Sequence, residues 1–349
     1  MDCFFAAVEM RENPSLKNIP MAVGGRPDSR GVISTSNYPA RKFGVKSGIS
    51  SAAAMRLCPQ LKILHHSFQH YKQDAQKIHA IFYEYTDQVE IAGLDEAYLD
   101  VTDCSLFGGS ATLIARDIKK KIFEKTKLTA SAGVAPNMFL AKVASDWKKP
   151  DGLFVIRPEE VADFVKDLAV KKIPGVGKVG FEKLKKMGVT TCSDLQKIPL
   201  EDLQLSFGKW AKSLHDKSFG RCWREICTHY ERKSLSTEET FEGDLSFDEL
   251  KEWALGSVVE EFQRRWEKHN KQEKIQTLFV KLKFCDFVNV SVQKNFSNYN
   301  LDEIYQHAED LLHIAFAKGE RPVRLLGIGV RFCQEKEKKE SIQLKFPFI

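Results

Sequence analysis

The alternation of apolar and polar positions changes character twice along the chain. Up to about residue 165, short apolar runs typical of β-strands alternate with longer stretches of helical periodicity. From about 166 to 228 the pattern predicts short helices, and from 241 onward strands and helices alternate again. The polar, charged stretch at 229–240 is typical of a linker. This order predicts an α+β multidomain protein, and no internal repeat is visible.

Individual elements follow from the same periodicities. In the first part, strands are predicted at 20–23, 31–35, 61–64, 89–102, 128–135 and 152–156, and helices at 68–86 and 110–125. The second of these helices has Ser110 as a candidate N-cap. In the last part, helices are predicted at 247–268 and 301–317, and strands at 277–284, 288–296 and 323–332.

Composition places the chain among soluble globular proteins. Its length of 349 residues predicts roughly two to four domains. With 43% hydrophobic and 29% charged residues, the chain has enough apolar material for hydrophobic cores. No run reaches the ~18 to 20 apolar residues of a membrane span, and the first residues lack the basic segment of a secretory signal, so we expect a cytoplasmic protein. The eight cysteines form no CxxC pair and are predicted to be reduced thiols.

Positive charge is concentrated in one segment. Residues 166–235 carry 15 Lys and Arg against 8 Asp and Glu, whereas the rest of the chain carries 38 against 39. A basic segment on a near-neutral body indicates a polyanion-binding module, because each neutralised phosphate releases counterions. A solvated, lysine-rich helix face is the alternative that charge alone leaves open.

Inside that segment, the sequence IPGVGKVG predicts a tight turn between two helices. Gly175 and Gly177 allow positive φ and a close approach of backbone N–H groups to a phosphate, and the next helix N-terminus adds partial positive charge. Lys178 supplies a full charge. The element resembles a helix-hairpin-helix that grips the DNA backbone without reading bases. A plain glycine-rich turn between helices is the alternative.

Two adjacent carboxylates stand out by their context. Asp95 and Glu96 lie in the apolar run GLDEAYLDV, where two neighbouring charges would be costly to bury without a cation. A pair of Mg²⁺ ions is the cation we expect, because paired carboxylates with two such ions catalyse in-line nucleotidyl transfer. Carboxylates at an ordinary strand edge are the alternative. The Asp-Glu pairs at 248–249 and 302–303 occupy ordinary helix starts.

Five motifs together point to a family. In chain order, the motifs MDCFFAAVE, GVISTSNYPARKFGV, GLDEAYLDVTD, SAGVAPNMFLAKVASDWKKPDG and IPGVGKVG resemble those of the Y-family translesion DNA polymerases of bacteria. The resemblance implies a right-handed polymerase with a ferredoxin-like palm, small fingers, a helical thumb with the helix-hairpin-helix, and an α/β little-finger domain. Its implied bounds are palm 1–10 and 67–165, fingers 11–66, thumb 166–230, linker 231–240, little finger 241–333 and a flexible tail 334–349.

The same resemblance implies the activity and its partners. We expect template-directed DNA synthesis of low fidelity past damaged bases, in DNA repair and damage tolerance, with two Mg²⁺ ions and without proofreading. The implied partners are primed DNA, deoxynucleoside triphosphates and the bacterial sliding clamp. We expect a monomer that does not bind membranes.

Site residues are carried over position by position. Asp95 matches a metal ligand and Glu96 the neighbouring catalytic carboxylate, whereas Phe5 matches the steric gate that excludes a ribonucleotide 2′-OH. Tyr38, Arg41 and Lys149 match residues that bind the incoming triphosphate, and Pro39 favours a helix start that would bring the tyrosine and the arginine together. Taken singly, each of these residues is better explained as a core aromatic or a surface cation.

The last residues, QLKFPFI, resemble a clamp-binding peptide. Such an extended peptide can insert alternating side chains into a groove. The residues concerned are Gln343, Leu344, Phe346 and Phe348.

The chain departs from the family pattern at two places. The first metal-binding aspartate of the family is expected two residues before the position of Asp2, so for the chain as written we predict severely impaired catalysis. A catalytically impaired DNA- and clamp-binding protein is therefore the main alternative function. A palm-type nucleotide cyclase would explain the carboxylates but neither the basic hairpin nor the tail. Gly93 stands where the family usually has serine, from which we expect a changed rate and the same reaction.

Overall fold

The computed structural model describes residues 1–269, 274–295 and 303–333. The chain divides into two units, Met1–His229 and Tyr230–Ile349. None of the helices in these described ranges is both long and apolar enough to cross a lipid bilayer. All eight cysteines are free thiols.

The first unit combines short strands with helices. Its strands are β1 (Met21–Gly24), β2 (Ile33–Ser36), β3 (Lys62–Leu64), β4 (Val89–Ile91), β5 (Ala97–Leu99), β6 (Ala132–Val134) and β7 (Leu153–Val155). Its helices are α1 (Phe4–Glu12), α2 (Tyr38–Arg41), α3 (Ser51–Leu57), α4 (Phe68–Phe82), α5 (Ala111–Thr126), α6 (Met138–Trp147), α7 (Val161–Lys166), α8 (Lys178–Lys186), α9 (Cys192–Gln196), α10 (Leu200–Phe207) and α11 (Ala211–Ser218).

Three small sheets organise this unit. One has the order β2-β1-β3, with β1 antiparallel to β2 and parallel to β3. The strands β4 and β5 form an antiparallel hairpin, and β6 pairs with β7 in parallel. Helices α1, α4 and α5 bury their apolar stripes in one core around Phe4, Tyr71 and Ile114. A separate core contains α6 and the helices that follow it, from Phe139 to Leu214.

The second unit is one four-stranded sheet with helices. Its elements are β8 (Ser234–Leu245), α12 (Phe247–Glu249), α13 (Leu255–Glu267), β9 (Ile275–Phe284), β10 (Asn289–Asn295), α14 (Ile304–Phe316) and β11 (Val323–Phe332). The strand order is β10-β9-β11-β8, and every neighbouring pair is antiparallel. The buried residues of α13 and α14 share one core with the strands, including Phe262, Leu312 and Ile328.

Most predicted elements occur where the periodicity placed them, with two corrections. The predicted strand 89–102 is a hairpin, because the chain reverses between β4 and β5. Residues 234–240, predicted as linker, belong to strand β8. There Leu235 and Thr237 are buried and their neighbours are exposed. A single leucine among polar residues gives too weak an apolar alternation for the strand to be visible in the sequence.

Candidate active site

The carboxylates sit in the loop of the β4–β5 hairpin. Val89 pairs with Leu99 and Ile91 with Ala97, which leaves residues 92–96 as the connection. The backbone N–H groups of Ala92 and Gly93 both donate to the Glu96 carbonyl, at 3.0 and 3.1 Å. Asp95 is half-buried and Glu96 is exposed. The premise that both charges are buried inside a strand is therefore wrong, since the turn brings them to the surface.

Several charged groups converge on this loop. The α-amino nitrogen of Met1 donates to the Asp95 carbonyl at 2.7 Å. Burial lowers the pKa of that ammonium group, and the charges that act on it are those of Asp95, Lys149, Asp2 and Glu96. The structure thus brings two of the predicted site residues, Asp95 and Lys149, close to the same point although 54 positions separate them.

Glu96 has a cationic partner that the sequence did not reveal. The Lys142 ammonium group on α6 forms an ion pair with the Glu96 carboxylate. Asn137 fixes the start of this helix, because its side chain accepts from the Leu140 N–H at 3.1 Å. The strands β6 and β7 pack against α6, so both the Asn137 cap and this packing fix the position of the helix. Lys142 lies inside a recognised motif, but no local spacing connects it with Glu96.

Phe5 is held in an aromatic cluster. Its ring stacks on Tyr71 with centroids 4.4 Å apart and an angle of 13° between the planes. Tyr71 is buried, and its hydroxyl donates to the Glu9 carboxylate at 2.5 Å. Phe68 meets Phe5 edge-on, with centroids 5.9 Å apart. The half-buried Phe5 therefore has a fixed ring plane, as a shape-based filter for a sugar requires. Phe4, next to it, is buried in the core.

Tyr38 and Arg41 occupy one short helix, as predicted from Pro39. Asn37 caps α2 by accepting from the Ala40 N–H at 3.0 Å. The Arg41 guanidinium lies over the Tyr38 ring, 4.8 Å from its centroid, and its Nε donates to the Ser36 carbonyl at 3.0 Å. Among the described residues the buried Tyr38 hydroxyl has no hydrogen-bond partner. Burial, and then the charge of Asp2, raise the pKa of Tyr38 to about 12, so the hydroxyl remains a donor at neutral pH.

A buried carboxylate anchors the loop that carries Lys149. Asp2 accepts from the Ser131 hydroxyl at 2.7 Å and from the Asp151 N–H at 2.8 Å. The Lys149 ammonium group itself lies 2.8 Å from the Asp146 carboxylate, one turn away at the end of α6. Arg41 and Lys149 both act on the thiol of Cys3, so the two cations approach the same region. Burial is the largest effect there and raises the pKa of Cys3 to about 11.

The glycine-rich turn before α8 has the left-handed backbone that glycine allows at one of its two glycines. Gly175 has φ +100°, and a Cβ added there would lie 3.0 Å from the Trp210 ring, so glycine is required. Gly177 has φ −81° and is the N-cap residue of α8, so it does not use the positive φ that glycine allows. The Val176 N–H donates to Ile173 and the Gly177 N–H to Gly175, and the first helical bond comes from Phe181. The N–H groups that face outward are therefore those of the first turn of α8, which begins at the exposed Lys178.

The tail residues Gln343, Leu344, Phe346 and Phe348 lie outside the described residues, as does the predicted flexible tail 334–349. His66 has a packing role: its Nε2 forms a hydrogen bond with the Ser34 hydroxyl at 2.6 Å, and its ring stacks on Phe68.

Three family models match the chain. Residues 1–146 match the impB/mucB/samB family, and residues 232–345 match the C-terminal domain of the same family. Residues 171–220, which include the glycine-rich turn and α8 to α11, match the thumb domain of DNA polymerase iota.

Relatives of the chain extend over nearly its full length. It is 44% identical over 343 residues to DNA polymerase IV of Ectopseudomonas mendocina, covering 98% of this chain and 96% of the relative. It is 47% identical over 330 residues to DNA polymerase IV of Shewanella frigidimarina, covering 95% and 91%. A solved chimera of the Y-family DNA polymerases Dbh and Dpo4 superposes with a TM-score of 0.85 at 32% identity, over 95% of this chain and 96% of the chimera. The chain therefore belongs to the impB/mucB/samB family of Y-family DNA polymerases.

Proposed function

We propose that the reaction centre of this DNA polymerase is the loop of the β4–β5 hairpin. As a member of its family, the chain is a template-directed DNA polymerase of low fidelity that carries out translesion synthesis. The observation that carries the proposal is that the charges of Asp95, Glu96 and Lys149 all act on the Met1 ammonium group, and those of Arg41 and Lys149 on the neighbouring Cys3 thiol. The Tyr38 hydroxyl, under the Arg41 guanidinium, has no hydrogen-bond partner among the described residues. Carboxylates beside phosphate-binding donors suit transfer of a nucleotidyl group.

The donor set of the loop fits a divalent metal. Mg²⁺ prefers oxygen ligands and is usually held by one or two carboxylates together with substrate phosphates. Among the described residues no group of three or more acidic, histidine or cysteine side chains could hold an ion alone. Asp95 would hold Mg²⁺ and Glu96 would assist. Two bound ions would activate the primer hydroxyl and neutralise charge on the triphosphate.

The triphosphate would be bound from the α2 side and from the Lys149 loop. The Tyr38 hydroxyl is a protonated donor without a partner among the described residues, so a phosphate oxygen would satisfy it. Arg41 is oriented by its bond to Ser36 and adds a guanidinium, which binds phosphates in a bidentate manner. Lys149 adds a second charge and would exchange Asp146 for the substrate.

Phe5 would select the sugar. A ring whose plane is fixed by Tyr71 has little room to yield to an added 2′-hydroxyl, so a ribonucleotide would clash with it.

Primed DNA would be held by the glycine-rich turn before α8. The N–H groups in the first turn of α8, together with Lys178, can bind backbone phosphate without reading bases.

For the tail, we propose that Gln343, Leu344, Phe346 and Phe348 bind the bacterial sliding clamp. We further propose a cytoplasmic monomer. The alternative, a catalytically impaired DNA- and clamp-binding protein, finds no support over the polymerase in the relatives.

Primer extension with Mg²⁺ and deoxynucleotides tests the reaction centre. Asp95→Asn keeps the size of the side chain and removes its charge, and we expect the incorporation rate to fall at least about a hundredfold. Asp103→Asn, in an exposed carboxylate outside the hairpin, is the matched control and should extend normally. Equal rates for Asp95→Asn and the wild type would refute the assignment. A wild-type chain that binds primed DNA without extending it would favour the non-catalytic alternative.

A further inference from the structure

The chain that follows the last helix of the first unit is tied to the carboxylate hairpin. Residues 221–227, which we call the strap, form no helix or strand. One oxygen of the Glu90 carboxylate, on β4, accepts from the Arg224 guanidinium. The other oxygen accepts from the backbone N–H of Cys227 at 2.9 Å. A single carboxylate therefore holds the strap at two positions.

The environment of Glu90 makes this contact more than a surface ion pair. The Glu90 side chain is 14% exposed, whereas that of Arg224 is 56% exposed. Both carboxylate oxygens are partnered, and the loss of either partner would leave a charge that is largely shielded from water. Two fully exposed charges would carry no such penalty. The contact with Glu90 therefore favours one position of the strap relative to β4.

Glu90 also belongs to the framework of the candidate reaction centre. It pairs with Tyr98 across the β4–β5 ladder, and these two strands hold the loop with Asp95 and Glu96. A displacement of β4 would therefore move the loop, because the connection between the strands is only five residues long.

The same part of the chain reaches α6. The Asn137 side chain, which caps α6, donates to the Gly220 carbonyl at 2.8 Å, just before the strap. The Arg224 guanidinium lies 3.8 Å from the sulfur of Met138, the first residue of that helix. Since α6 carries Lys142, the ion-pair partner of Glu96, the strap contacts both elements that position Glu96.

We propose that Glu90 is a positioning residue for the polymerase reaction: by holding the strap, it fixes the carboxylate hairpin relative to the helical segment that ends at α11. This inference rests on the proposed function of Asp95 and Glu96. The contact of Glu90 with the strap would then position both the helices that carry the proposed DNA-binding turn and the carboxylates of the hairpin loop. Glu90 itself touches neither nucleotide nor primer.

Glu90→Gln tests the proposal, because it keeps the size of the side chain and removes the charge. We expect the incorporation rate at saturating nucleotide to fall about tenfold, with KM for the nucleotide and affinity for primed DNA changed less than about twofold. Trypsin should cleave the native protein after Arg224 about tenfold faster, because the strap is released. Arg224→Ala should lower the rate equally, and the double variant should be no slower than either single variant.

Glu84→Gln is the matched control. Glu84 forms an ion pair with Lys121 at 2.7 Å in the same unit, and its removal should change neither rate nor cleavage. Glu90→Gln that releases the strap but incorporates at the wild-type rate would overturn the proposal, as would slow incorporation with the strap still protected. If Glu90→Gln does not fold, the exposed Arg224→Ala replaces it, with its incorporation rate as one readout and trypsin cleavage after Arg221, also in the strap, as the other. A wrong assignment of the reaction centre would give a different result, because Asp95→Asn would then extend primers at the wild-type rate. Trypsin cleavage would still report whether Glu90 holds the strap.

Discussion

Replacement of Asp2 by alanine should loosen the loop that carries Lys149. Asp2 is 2% exposed, and its two carboxylate oxygens accept from the Ser131 hydroxyl and the Asp151 N–H. The Ser131 hydroxyl in turn accepts from the Gly152 N–H at 3.1 Å. One buried side chain therefore holds β6 and the start of β7 together next to the candidate triphosphate site.

The magnitude follows from these bonds. A hydrogen bond to a charged group contributes about 1.5–3 kcal/mol, so two bonds contribute about 3–6 kcal/mol. Water can enter the space left by the smaller alanine side chain and replace part of the lost hydrogen-bond energy. We therefore expect Asp2→Ala to destabilise the first unit by about 3–4 kcal/mol. Asp2→Asn should cost only about 1–2 kcal/mol, because its amide oxygen can accept from Asp151 while its NH₂ group donates to the Ser131 oxygen.

Hydrogen exchange measured by mass spectrometry gives the opening free energy of the β6–β7 region for each variant. Ser131→Ala removes one of the two bonds to Asp2 and also the acceptor of the Gly152 N–H, so it should lower the opening free energy of the same region although the bond from Asp151 remains. In primer extension, Asp2→Ala should raise KM for the nucleotide more than it lowers kcat, because Lys149 is proposed to bind the triphosphate. An opening free energy for Asp2→Ala within about 1 kcal/mol of the wild type, or equal losses for alanine and asparagine, would contradict the anchoring role of the Asp2 carboxylate.

Three further predictions concern the sugar filter, the hairpin loop and the helical segment. Phe5→Val should raise incorporation of ribonucleotides relative to deoxynucleotides at least about tenfold, measured by single-nucleotide insertion, and an unchanged ratio would contradict the steric role. Gly93→Ser should change the extension rate less than about tenfold, because no atom lies within 4 Å of the added Cβ and the backbone is outside the left-handed region; abolished extension would contradict this. The N–H groups of Thr191 and Thr190 hold the pKa of Asp194 below its usual value. Because the folded pKa is lower than the unfolded value of about 3.9, this charge stabilises the fold above about pH 4 and the effect is lost as pH falls through the folded pKa. The difference in Tm between wild type and Asp194→Asn should therefore be largest near pH 7 and shrink toward pH 3, and a difference independent of pH would exclude the charge effect.

Local patterns predicted the fold where one element depends on neighbouring residues. The helix over 110–125 occurs as α5, capped by Ser110 as expected, because apolar spacing and a cap are properties of adjacent positions. Asn37 and Pro39 likewise define the start of α2 and bring Arg41 over the Tyr38 ring. Chain reversal within an apolar run is different: Gly93 is the local sign of a turn in the run 89–102, and the apolar residues on both sides of it favoured one continuous strand over the observed hairpin.

Side-chain charge, glycine freedom and apolar periodicity are local properties, so the sequence was enough to predict the motifs and the kind of chemistry they suit. The meeting of distant groups became visible in the folded chain: Lys142 with Glu96, Tyr71 with Phe5, and Glu90 with the strap. Those contacts join residues 46, 66 and 137 positions apart. Their geometry depends on how helices and hairpins pack. The partners are selected by burial and hydrogen bonding throughout the unit, because no local preference links residues so far apart in the sequence.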